Sequence, residues 1–217
     1  MINNIIFDFD GTLVDTSEGI IKSMHYAFDK LNIPRVTDQE IKGIIGPPLT
    51  KMLKILLKTN DEELIINCTN YFRERYSNDG LKELELYPGV SETLINLFKK
   101  DINLYIVTSK PHIFVIDITE KLQIKNYFKD ISGIVINGKD INKANRIERL
   151  INKHDLIQEE TIMVGDRCED VIAAKYNDIK CIGVNYGYGK NKDLVEEGAC
   201  LTINCLKDIL NYIRISN

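Results

Sequence analysis

Several things are missing from this chain, and each absence closes off a class of function. No apolar run approaches the roughly 18 residues that span a bilayer, and the N-terminus lacks the basic-then-apolar pattern of an export signal. There is no Cys-x-x-Cys pair. The five cysteines (Cys68, Cys168, Cys181, Cys200 and Cys205) are odd in number and scattered, so reduced thiols in a cytoplasmic protein are the expectation. His25, His112 and His154 stand alone and far from the cysteines, which removes the spacing of a zinc site. Positive charge is not in excess either. The 28 lysines and arginines face 32 acids, for a formal net charge of −4, and the lysines do not gather on one segment. A nucleic-acid footprint is therefore not expected. Repeats and low-complexity tracts are absent.

What is present is ordinary globular material. The 217 residues, 44% hydrophobic and 28% charged, suffice for one core with a modest insertion. An apolar start, Ile5-Ile6-Phe7, reads as a buried strand. Residues 16 to about 82 then read as helix throughout. Ile20, Ile21, Met24, Ala27, Phe28 and Leu31 make one helical face that ends before Pro34. Thr37-Asp38-Gln39-Glu40 is a capping-box start, and the apolar spacings from Leu49 and from Leu64 mark two further helices. From Tyr87 onward strands and helices alternate. Strands are expected at 102–107, 131–136, 161–164, 181–184 and near 201–203, with helices opening at Ser91, Pro111, about Lys143, Asp170 and Leu206. That rhythm implies an α/β fold, a parallel Rossmann-like sheet with helices on both faces, interrupted by an all-helical insertion. The expected division is 1–15 with 83–217 as the α/β core, and 16–82 as a helical cap. The insertion leaves from the carboxyl end of the first strand, where sites form in open α/β sheets, so it is expected to cover the site.

The chemistry concentrates at strand ends. Asp8-Phe9-Asp10-Gly11-Thr12 puts two carboxylates two residues apart, where strand alternation turns them the same way. Like charges held that close call for a cation. Gly11 permits the turn, and Thr12 adds a hydroxyl. A polar turn uses the same residue types, but here Asp8, Asp10 and Asp15 fall within eight residues. Val107-Thr108-Ser109-Lys110 closes another strand just before a helix start, a place for a phosphate oxygen or for a simple Ser/Thr cap. Gly165-Asp166-Arg167-Cys168-Glu169-Asp170 closes a third. Asp166 suits a magnesium site shared with Asp8, or helix capping, a role that Asp170 also fits. Lys143 opens the preceding helix, and by composition alone it is a surface charge.

Taken together, Asp8-Phe9-Asp10-Gly11-Thr12, Thr108, Lys143 and Gly165-Asp166 with Asp170 match, in order, four motifs of the haloacid dehalogenase-like hydrolase superfamily. The chain resembles that superfamily's phosphatases with an inserted helical cap. Gly46-Pro47-Pro48, Thr108-Ser109-Lys110-Pro111, Gly165-Asp166-Arg167 and Tyr186-Gly187-Tyr188-Gly189 are similar to its phosphoglycolate phosphatase-like branch, which includes nucleotidase-type members. The resemblance implies a Mg²⁺-dependent phosphatase for a small phosphorylated metabolite, of phosphoglycolate or nucleoside monophosphate type. Asp8 is implied as the nucleophile that forms an aspartyl-phosphate, and Asp10 as the acid that protonates the leaving oxygen and later activates water. Thr108 and Lys143 are implied to hold phosphoryl oxygens. Asp8, Asp10 through its main-chain carbonyl, and Asp166 are implied to bind Mg²⁺, with Asp170 in support. Gly11, Thr12, Ser109, Lys110, Gly46 and Pro47 are implied phosphate or substrate contacts. Arg73, Arg75 and the 186–189 turn are implied to shape the pocket. The implied partner is a small phosphate ester, with no nucleic-acid polymer and no membrane, and the chain a monomer or homodimer.

Two other readings stand beside this one. A phosphomutase of β-phosphoglucomutase type would use the same intermediate. A non-catalytic phosphate-binding regulator would have dispensed with Asp8, Asp10, Lys143 or Asp166, all of which are present. Cys168, close to the expected metal, is either a passive small residue or a point where oxidation weakens Mg²⁺ binding.

Overall fold

Strand β1 (Asn4–Phe7) is buried along its whole length, with Ile5, Ile6 and Phe7 fully shielded. A strand that is apolar on both faces belongs in the middle of a sheet covered on both sides. The computed structural model, which describes residues 1–136 and 142–215, places it there. Strand β1 pairs in parallel with β4 (Asn103–Pro111) on one side and with β6 (Thr161–Gly165) on the other. Outside β4 lies β5 (Phe128–Ile134). Beyond β6 come β7 (Lys180–Val184) and β8 (Leu201–Ile203), giving a six-stranded parallel sheet in the order β5-β4-β1-β6-β7-β8.

Helices α5 (Val90–Phe98), α6 (His112–Lys121), α7 (Lys143–His154), α8 (Cys168–Tyr176), α9 (Asn191–Glu197) and α10 (Ile209–Ile215) accompany these strands. One core layer joins Ile6, Tyr105, Val107 and Met163 of the strands to Ile147 and Leu150 of α7 and to Val171 and Ala174 of α8. Burial of this many large apolar side chains is what holds the layer closed.

The chain divides into two compact units, Met1–Val14 with Leu86–Asn217, and Asp15–Glu85. The second is helical: α1 (Ser17–Lys30), α2 (Asp38–Gly43), α3 (Leu49–Leu57) and α4 (Glu62–Asn78), with α1 packed along α4. The capping box forms as its sequence indicates. Glu40 N–H donates to the Thr37 hydroxyl at 3.2 Å, and the Thr37 N–H donates to the Glu40 carboxylate at 2.8 Å. At the crossings between units lie β2 (Val14–Asp15) and β3 (Glu85–Leu86), a two-stranded sheet too short to leave any periodicity in the sequence.

Two other differences concern the α/β unit. Strand β4 runs on to Pro111, past the polar Thr108-Ser109-Lys110, and β5 begins earlier than expected, at Phe128. Pairing with a neighbouring backbone continued both strands where side-chain patterning stopped. Helix α9 was not foreseen, because it buries a single residue, Leu194. Among the described residues, no helix is long and apolar enough to cross a membrane.

Candidate active site

The chain leaves β1 toward β4 and β5, then returns to build β6, β7 and β8 on the other side. The carboxyl ends of β4, β1 and β6 therefore lie side by side at the point where the order reverses, the place where open α/β sheets bind ligands. Each of the three delivers polar groups there.

Directly after strand β1 comes Asp8, buried, with its N–H bonded to the Val164 carbonyl at 2.8 Å. The chain then turns tightly through Gly11, whose φ of 85° lies in the left-handed region that favours glycine. Directly after strand β6 comes Asp166, with no exposed surface. From the first turn of α8 comes Asp170, equally buried. Oxygens of Asp8, Asp166 and Asp170 lie within 4.8 Å of one another. Lys143, at the start of α7, reaches into this group. Its Nζ donates to Asp170 Oδ1 at 2.6 Å and sits 3.0 Å from Asp8 Oδ1. The second contact is an ion pair without hydrogen-bond alignment, so Asp8 Oδ1 keeps its lone pairs for another partner.

Asp166 is held from three directions. The Thr12 hydroxyl donates to Oδ1 at 3.3 Å, and the backbone N–H groups of Tyr188 and Gly189 donate to Oδ2 at 2.7 and 3.2 Å. Gly187 and Gly189 pack so tightly on Asp166 that neither has room for a side chain. The same turn is anchored by Tyr186, whose hydroxyl donates to the Thr12 carbonyl at 2.9 Å and whose ring packs against Tyr87. Asp170 uses its other oxygen to accept the Arg167 N–H at 3.0 Å.

Burial and mutual repulsion dominate the electrostatics. Burial first, then the nearby Asp170, push the Asp8 carboxyl up to about 7, although Lys143 works against them. Asp166 is pushed up to about 8 by burial, then by Asp8 and Asp170. Lys143 is held well above its usual value by the two acids, despite its own burial.

This donor set fits a hard divalent cation. The ligands are carboxylate oxygens, as Mg²⁺ prefers; they are buried and close together, and one Asp8 oxygen accepts no hydrogen bond from the described residues. Asp8 and Asp166 are the residues that would hold the ion. Asp170 is already engaged by Lys143 and Arg167, which makes it a support.

Some expected contacts differ. The Asp10 carboxylate lies outside the acid cluster and faces Lys110, whose Nζ donates to Oδ1 at 3.0 Å and to Oδ2 at 3.2 Å. Lys110 thus spends its charge on Asp10, where a substrate contact was expected. Thr12 is fully buried and its hydroxyl serves Asp166, where a phosphate contact was expected. The Gly11 N–H is taken by the Val14 carbonyl at 3.0 Å. Thr108 is buried in place, and its hydroxyl accepts the Lys110 N–H at 3.1 Å, leaving its own proton to donate. Ser109 is half-buried. Gly46 and Pro47 form the turn before α3 in the helical unit. There too, Arg75 is committed to Glu83 through bonds of 2.8 and 3.0 Å, so it is a structural residue. The Cys168 thiol is pushed up to about 11, by burial and then by Glu169, so it carries little of the thiolate that oxidation requires.

Sequence reasoning missed the work of the 186–189 turn. Its signal was the repeated Tyr-Gly just after a buried strand, where glycines mark a close backbone approach.

Comparison with known proteins agrees with this arrangement. Residues 5–184 match the model of the haloacid dehalogenase-like hydrolase family. A 5′-nucleotidase of Pseudomonas aeruginosa is 36% identical over 193 residues, 88% of this chain and 86% of that protein. A phosphoglycolate phosphatase of Vibrio vulnificus is 29% identical over 99% of this chain and 97% of its own. The crystal structure of a predicted phosphatase from Clostridium acetobutylicum superposes with a TM-score of 0.92 at 32% identity, covering 99% of both chains. With its sequence matched from β1 through β7 and its fold matched throughout, the chain belongs to the haloacid dehalogenase-like hydrolases, on their phosphoglycolate phosphatase-like branch.

Proposed function

We propose that the protein is a Mg²⁺-dependent phosphatase that hydrolyses a small phosphate monoester through an aspartyl-phosphate on Asp8. The observation that carries this reading is the buried acid cluster facing Lys143 at the switch point of the sheet. An isolated carboxylate repels a phosphate dianion; here a lysine and a bound cation would offset that repulsion. When bound, Mg²⁺ supplies the positive charge that draws the phosphoryl group to Asp8 and stabilises the charge developing on it.

The chain's own residues divide the remaining work. An Asp8 oxygen attacks phosphorus, and the bond to the leaving oxygen breaks as Asp10 gives that oxygen its proton. Asp10 then takes a proton from water as the water oxygen attacks phosphorus, the bond to Asp8 breaks, and inorganic phosphate is freed. Thr108 donates its hydroxyl proton to a phosphoryl oxygen, and Lys143 pairs with another. Asp166, clamped by Thr12 and the 186–189 turn, keeps its carboxylate where a cation can use it.

The substrate class follows the relatives: a nucleoside monophosphate, as for the 5′-nucleotidase, or phosphoglycolate. Phosphate release from a panel of phosphorylated metabolites, with Mg²⁺ and then with EDTA, tests the reading. Release from one class of ester that stops on chelation is expected. A folded protein that releases phosphate from none of them overturns it.

A further inference from the structure

Lys110 occupies a position that neither a substrate contact nor a surface lysine explains. Its side chain is only 5% exposed, and its ammonium straddles both oxygens of Asp10, itself 13% exposed. A buried ammonium is costly unless it is paired, so this contact is what permits the lysine to lie there.

The backbone shows how it arrives. Along the β4–β5 pair, Val107 is opposite Ser132 and Pro111 is opposite Ile134. Thr108, Ser109 and Lys110 thus share a single partner position, Gly133. Extra residues on one strand form a bulge, a device that re-aims side chains beside active sites. Gly133 is required for it, since a Cβ there would stand 2.7 Å from the Lys110 carbonyl oxygen and 2.8 Å from the His112 nitrogen. The bulge also joins Lys110 to the phosphate side of the site, because its N–H donates to the Thr108 hydroxyl.

We propose that Lys110 is a positioning residue for Asp10: the bulge in β4 delivers its ammonium across both carboxyl oxygens and fixes the carboxyl plane. The inference rests on the reading of Asp10 as the acid and base of a phosphatase. A contact that orients the acid, and does not touch the ester, affects the proton-transfer step and leaves ester binding alone. It also matters only where the leaving oxygen needs a proton. An alkoxide leaves poorly without one, whereas the p-nitrophenolate of p-nitrophenyl phosphate leaves as the anion.

The test compares kcat/KM, which reports phosphorylation of Asp8, for the best alkyl ester of the metabolite panel and for p-nitrophenyl phosphate. Lys110→Met is expected to lose about 10²-fold on the alkyl ester, the usual contribution of general acid catalysis. On p-nitrophenyl phosphate it is expected to change by less than about 3-fold, which also reports that the site is folded. KM for the alkyl ester stays within about 2-fold. Asp10→Asn serves as the reference and is expected to show the same split between esters. Equal losses of Lys110→Met on both esters, or a rise in KM alone, would make Lys110 a substrate contact and overturn the proposal. No loss on either ester overturns it too. An Asp10→Asn variant without the split would instead sink the assignment of Asp10 as the acid, a distinct failure that takes the inference with it.

Discussion

In the helical unit Arg75 lays its guanidinium on Glu83, and Lys22 bridges Glu83 and Glu18, so that two cations meet two acids. In the α/β unit four acids, Asp8, Asp10, Asp166 and Asp170, meet two lysines, Lys110 and Lys143. The first cluster is balanced and half open to water. Its charges are complete as they stand, and it ties α1 and α4 to the segment that follows them. The second is buried, and its acids outnumber its cations even with Arg167 acting on Asp166. Burial first, and the neighbouring acids after it, push up the carboxyls of Asp8 and Asp166. Charge that is paired holds a fold together, whereas buried charge left short of a partner points to something the protein is meant to bind.

The sharpest way to break this contrast is Asp8→Asn. It should lower turnover about 10⁴-fold or more, because the proposed nucleophile is gone. It also removes one surplus charge, so the Mg²⁺-free variant should melt above the Mg²⁺-free wild type at about pH 8. Hydrolysis near the wild-type rate would show that the phosphoryl group is taken up elsewhere.

A smaller effect follows from pH. Asp8 and Asp166 keep protons in the folded protein that ordinary carboxyls, near 3.8, have already lost in the unfolded chain. Their contribution to stability is therefore complete at low pH. It declines as pH rises from about 4 and is lost beyond about 8. The proposed Mg²⁺ would compete with those protons, so it should raise the melting temperature more at about pH 8.5 than at about pH 6. Thermal melts with Mg²⁺ or EDTA at the two pH values measure this; equal gains would mean that the ion binds away from these acids.

The smallest effect belongs to the balanced cluster. Arg75→Met should cost about 1–3 kcal/mol in urea unfolding, the range for losing hydrogen bonds to a charged group that is only partly exposed. Phosphate release per folded molecule should stay as it was. A catalytic loss beyond the loss of folded protein would give Arg75 a second task.

What the chain discloses before folding follows the reach of its forces. Asp8 and Asp10, Asp166, and the capping box at Thr37 depend on neighbours a few residues away, and strand or helix periodicity is enough to find them. The Thr12 hydroxyl serves an acid 154 residues distant. Lys110 reaches Asp10 only because two strands pair with a bulge and Gly133 leaves space for it. Arg75 was expected to help shape the pocket, and nothing in its local spacing reveals Glu83 as its partner. Approaches of this kind are decided by packing, and no local pattern records them.

The turn around Asp166 has a consequence for anyone who surveys this chain by mutation. A methyl group at Gly189 would fall 1.7 Å from the Asp166 carbonyl oxygen, and one at Gly187 would fall 2.3 Å from the Asp166 Cβ. Neither glycine carries a reacting atom, yet a saturation scan scored by growth or activity should find both as intolerant as the nucleophile. Damage alone would rank them as catalytic, when all they supply is the absence of a side chain.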